Sequence, residues 1–213
     1  MNYLESPKTN SHQIANQLLN HGRLNESKQI LTELLSENPS DHVATHMFGL
    51  LAKKNKQWKL AIAFFTRAID TNGNYFASYL ERGLVNRKLG NLSNSISDFS
   101  AALKIEPLSF EALNNRGITF CQEGNSARAI EDFSKAIALK PNCTQTYFNR
   151  GLAKRLFGHT SAALDDYTRS IALDSKNYRA LNNRAMLHRD LKNFDKAIRD
   201  LDACLSVQPN FSE

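Results

Sequence analysis

Apolar residues fall into short blocks at helical spacing, and the blocks themselves return at a fixed interval. Over 110 to about 123, Ala112, Leu113, Gly117 and Phe120 lie near one helical face. Gly124 and Asn125 then break the pattern. Over about 127–139, Ala129, Ile130, Phe133, Ala136 and Ile137 share a second face. Lys140-Pro141-Asn142 ends it, because a proline there cannot continue the helix. The stretch predicts two helices joined by a tight turn.

This two-helix unit recurs every 34 residues. Ala15, Gly49, Gly83, Gly117, Gly151 and Ala185 form one small column, at position 8 of the unit. Ser27, Ala61, Ser95, Ala129, Ala163 and Ala197 form a second, at position 20. A bulky column at position 24 reads Leu31, Phe65, Phe99, Phe133, Tyr167 and Leu201. Pro39, Gly73, Pro107, Pro141, Ser175 and Pro209 close the units. Without insertion or deletion the units fall at 8–41, 42–75, 76–109, 110–143, 144–177 and 178–211, with tails at 1–7 and 212–213.

The columns have physical reasons. Gly117 opposite Ala129 lets two helix backbones approach, where a larger side chain would overpack. Phe133 is expected to fill the gap toward the next unit. Positions 7 and 23 change together: Arg82/Asp98, Arg116/Asp132, Arg150/Asp166 and Arg184/Asp200, but Ile14/Ile30 and Phe48/Phe64. A charge against an apolar partner would be costly, so both members change or neither does. These pairs are expected to be structural rather than catalytic, so that Arg150→Leu costs more than Arg150→Leu with Asp166→Leu.

Small residues at positions 8 and 20, an aromatic at 24 and a proline at 32 resemble the tetratricopeptide repeat. Residues 114–142 and 148–177 carry the best matches. The resemblance implies an all-α fold, an α-α superhelix (a solenoid) of six helix-turn-helix repeats. It also implies first helices on the concave face, second helices on the convex face, and ligands in the concave groove.

Groove positions then acquire candidates. Position 6 carries Asn115, Asn149 and Asn183, and Asn114 and Asn182 precede two of them. An amide both donates and accepts, so a column of amides can match an extended peptide backbone. The column resembles the asparagine ladder of O-linked N-acetylglucosamine transferases. The plainer reading is helix packing or solvent contact. Lys53, Lys54, Arg87, Lys88, Arg155, Arg179 and Arg189 oppose Glu81, Glu111 and Asp190 there, a net of +4. Such a surface would attract acidic segments, unless the long side chains simply reach for water near the helix ends. The two-carboxylate clamp used by chaperone-docking members is largely missing. Only Asn149 matches among Asn114, Ile118, Asn149, Arg179 and Asn183.

Composition narrows the classes. Of 213 residues, 41% are hydrophobic and 23% charged, which argues against wholesale disorder. Apolar runs reach only about six residues, far short of a membrane span. The start MNYLESPKTN has neither a basic lead nor an apolar stretch, so no signal peptide is expected. Three cysteines exclude a disulfide framework and point to a reducing, cytoplasmic setting. Cys204 replaces a small residue in its column and Trp58 sits at a turn-to-helix junction, so both are expected to pack.

No phosphate loop, nucleophile elbow or zinc-protease helix occurs, so neither an enzyme nor a cofactor is expected. His12, His42 and His46 lack a carboxylate or thiol partner in the pattern and read as surface histidines rather than metal ligands. The net charge of +6 is dispersed. RNA-reading helical repeats have a 35-residue period, so a protein or peptide is the expected partner. No helix is expected to cover Leu187, Leu191, Ile198 or Leu201. Two alternatives follow: an array that continues, as in the recognition part of a larger transferase, or a homo-oligomer formed through the last repeat.

Overall fold

The computed structural model describes residues 7–208, with side chains from Asn10 onward. Residues 1–6 and 209–213, including Pro209 and the 212–213 tail, lie outside the described residues. Every regular element in that range is an α-helix. Two compact units divide at Pro107/Leu108. The first holds α1 (Pro7–Asn20), α2 (Leu24–Glu37), α3 (His42–Lys54), α4 (Trp58–Thr71), α5 (Phe76–Lys88) and α6 (Leu92–Ile105). The second holds α7 (Phe110–Glu123), α8 (Ser126–Leu139), α9 (Thr144–Leu156), α10 (Thr160–Leu173), α11 (Tyr178–Asp190) and α12 (Phe194–Val207). In both, each odd-numbered helix packs on the helix that follows it.

The turn inside each pair is set by one left-handed residue. Gly22, Gly90, Gly124 and Gly158 take φ of +78° to +89°. Lys56 and Lys192 occupy the same register at φ +58° and +60°, a conformation that costs an L-residue about 1–2 kcal/mol. The next N–H then reaches back to the first helix. Asn125 donates to the Phe120 carbonyl at 2.8 Å, and His159 to that of Lys154 at 2.8 Å.

Within a pair, the ring at position 24 lies over the glycine at position 8. A Cβ added to Gly117 would stand 2.8 Å from the Phe133 ring, and one on Gly151 2.7 Å from Tyr167. Phe65, Phe99, Phe133 and Tyr167 are all 0% exposed. The ring also reaches the following repeat: Tyr167 clusters with Ala180 and Leu187, and Phe65 with Val85. The small column at position 20 closes on the same helix, as Ser27 donates to the Ala15 carbonyl at 2.9 Å.

The position 7/23 pairs form as two-point bridges. Arg116 Nε and Nη2 donate to the Asp132 carboxylate at 2.7 and 2.8 Å, and Arg184 to Asp200 at 2.8 and 2.6 Å. The four aspartates are buried. Where the pair is apolar, the Phe48 and Phe64 rings stack 5.3 Å apart. Position 11 often adds a third member: Asn86 donates to Asp98 at 2.9 Å, and Lys154 pairs with Asp166 at 2.8 Å.

The guanidinium also reaches backward, a link the sequence reading did not foresee. Arg82 Nη1 donates to Thr66 at 2.9 Å, Arg150 to Ser134 at 3.1 Å and Arg184 to Thr168 at 3.1 Å. Each arginine therefore holds its own repeat together and ties it to the preceding one. The signal was the hydroxyl column 16 residues before each of these arginines.

Because Lys154 would still serve Asp166, the cleaner test lies one repeat earlier, where position 11 is Phe120. Arg116→Leu strands a buried carboxylate and is expected to lower unfolding free energy by about 3–5 kcal/mol in urea melts. Arg116→Leu with Asp132→Leu is expected to recover most of that loss. Equal instability of the two variants would contradict the account.

Candidate functional site

The first helices of each pair carry all the candidate ligand contacts. In the first unit α3 touches both α1 and α5, and in the second α7 touches α9. Lys54 ends α3, Arg87 and Lys88 end α5, and Asn114 and Asn115 lie on α7. Asn149 and Arg155 lie on α9, and Arg179, Asn182, Asn183 and Arg189 on α11. Lys54, Lys88, Arg179 and Arg189 are exposed, and the remaining seven are half-buried.

The asparagines do not all stand alike. Asn115 and Asn183 each spend one N–H on their own helix, donating to the Glu111 and Arg179 carbonyls at 2.8 Å. That bond fixes the amide plane at the same register on α7 and α11. Asn149 instead accepts from Gln145 at 2.8 Å. Asn114 accepts from the buried Thr146 hydroxyl at 3.2 Å and so joins α7 to α9. Asn182 lies apart from these, in a groove of about 460 Å³ with Arg189, Met186 and the exposed side of α12.

Ion pairing thins the basic charge. Lys53 pairs with Glu81 across α3 and α5, and Arg189 with Asp190 at 3.2 Å. Lys88 lies over the Trp58 ring at 5.0 Å, which draws it toward the start of α4. Burial lowers the pKa of Arg87.

Several expectations need correction. His46 is no surface histidine: it is 6% exposed, meets Ser78 at 2.9 Å, and packs against the Phe65 and Tyr75 rings. Burial, then the positive charges of Lys53 and His42, push its pKa down to about 4. His12 is half-buried on Asp41 at 2.9 Å. Among the described residues no three His, Cys, Asp or Glu side chains gather as a metal site. Leu187 is buried, not bare; Leu191, Ile198 and Leu201 are exposed as expected. Burial raises the Cys121 thiol to about 11, which keeps it from acting as a thiolate. Cys204 is 2% exposed and directs its thiol to the Tyr178 carbonyl at 3.6 Å. No described helix is long and apolar enough to cross a membrane.

Six helix pairs with small, aromatic and left-handed columns in register define an α-helical repeat protein. Family models described as "Tetratricopeptide repeat" match residues 76–107, 110–143 and 178–211. The chain belongs to the tetratricopeptide-repeat family.

Solved structures share the fold at low identity. The protein reported as pilF of Pseudomonas aeruginosa aligns at TM-score 0.80 and 17% identity, over 95% of this chain and 92% of that one. YrrB, described as a TPR protein with an unusual peptide-binding site, aligns at 0.77 and 20%, over 85% and 93%. A MamA protein aligns at 0.75 and 18%, over 79% and 92%. No curated protein matches in sequence.

Two outcomes test the buried polar groups. The Tyr167 hydroxyl is buried without a hydrogen-bond partner, and its pKa is pushed up to about 12, first by burial. Tyr167→Phe is expected to raise stability by about 1 kcal/mol in urea melts, since it removes a stranded hydroxyl; a loss would contradict this. Folded His46 resists the proton that an unfolded histidine accepts near pH 6.5. Stability is therefore full above that value and falls as pH drops toward 4, by about 2 kcal/mol between pH 7.5 and pH 5. His46→Gln is expected to flatten this slope; an unchanged slope would assign it to other groups.

Proposed function

We propose that the chain is a protein-interaction module whose first-helix faces bind an extended peptide or protein segment. The observation that carries this reading is the recurrence of Asn115, Asn149 and Asn183 at one register of α7, α9 and α11. Amides spaced by whole repeats suit the repeating N–H and C=O groups of a backbone, whatever its side chains. Asn114 and Asn182 flank that column. Lys54, Arg87, Lys88, Arg155, Arg179 and Arg189 supply positive charge that favours an acidic segment. Asn is a mediocre helix former, so its repeated use on one face asks for a reason beyond folding. YrrB, described as having a peptide-binding site, offers a parallel on the same fold. The role is non-catalytic and cytoplasmic on this reading.

The test is capture of partners by the chain and by Asn115→Ala/Asn149→Ala/Asn183→Ala, read by mass spectrometry. The variant is expected to keep its helicity and to lose the wild-type set. Capture of the same proteins by both would overturn the asparagine reading. Lowered salt is expected to tighten binding if the segment is acidic.

A further inference from the structure

The side of α12 that faces away from α10 is a docking surface already furnished for one kind of helix. Ile198, Leu201 and Leu205 are 56%, 42% and 49% exposed there. One repeat earlier, Leu164, Tyr167 and Ile171 hold the same registers, and Tyr167 is 0% exposed. What covers them is α11, through Ala180 and Leu187. The exposed face of α12 thus continues an interface that is formed between α10 and α11.

Charge states which helix it takes. Three first helices meet the preceding second helix with an arginine on a hydroxyl: Arg82 on Thr66, Arg150 on Ser134 and Arg184 on Thr168. On α12 that register is Asp202, which is exposed. A carboxylate there converts a neutral acceptor into a charged one, which strengthens the bond to an incoming guanidinium. A second copy stacking its first helix on this face would instead bring Ile14, the residue at the arginine register of α1, against Asp202. Leaving a carboxylate against an apolar side chain is unfavourable.

We infer that this face binds an amphipathic helix of another protein that presents an arginine to Asp202 between small and leucine residues, in the pose α11 takes on α10. The surface is separate from the asparagine column, so the two readings stand or fall apart.

The probe is a stapled, fluorescein-labelled peptide with the α11 sequence YRALNNRAMLHRD, titrated against the full chain by fluorescence anisotropy. Binding is expected, weakened about five- to ten-fold by Asp202→Ser and abolished by Ile198→Glu. A peptide with Arg184→Leu is expected to bind weakly and to be indifferent to Asp202→Ser. The Asn115→Ala/Asn149→Ala/Asn183→Ala chain is expected to bind the peptide normally. Absent binding, or equal affinity for wild type and Asp202→Ser, would overturn the inference. Tighter binding of an α1 peptide, or dimers in sedimentation that Ile198→Glu dissociates, would assign the face to a second copy instead.

Discussion

Everything else in each helix pair depends on a ring packed directly over a backbone without a side chain. Gly117 leaves room for Phe133 and Gly151 for Tyr167, and a single added carbon would stand under 3.0 Å from either ring. That contact sets how closely the two helices approach. Close approach in turn brings position 7 within bridging distance of position 23, so the arginines meet buried aspartates at about van der Waals minimum separation. The guanidinium then has a donor to spare, and it is spent on the preceding repeat. A hydrophobic contact therefore positions a polar one, and the polar one gives direction to the stack: each repeat holds its predecessor by the same hand.

The same logic separates structure from candidate function on the first helices. Side chains that face the second helix are fully engaged in this network. Those at position 6 are not required by it, yet they keep one residue type across three repeats. Asn115 and Asn183 are held by bonds to their own helix, which orders an amide without covering it. Ordered side chains lose less entropy when a ligand binds, which is how a shallow surface gains affinity. Asn114, tied to Thr146, belongs to the joint between α7 and α9 as much as to any ligand surface.

Columns forced by close packing were legible in the sequence because their reason is local and repeats without interruption. The glycine and aromatic columns placed the helices, and α7 ends where Gly124 ends its pattern. The backward reach of the arginines was hidden because it joins two columns from different repeats that each look ordinary alone. His46 was misread for a related reason. Its own helix says nothing of Phe65 and Tyr75, which arrive from α4 and the turn before α5 to bury it. Lys56 and Lys192 hold left-handed turns because the rest of the motif over-determines the bend, and no propensity would have chosen them.

The central claim is that a partner lies along the first helices and against the asparagine column. Side-chain amide resonances of Asn115, Asn149 and Asn183, followed by NMR as a captured partner is added, test it most directly. The account predicts that all three shift together and saturate at one stoichiometry. Shifts confined to residues of α8 and α10, with the three amides unmoved, would contradict it.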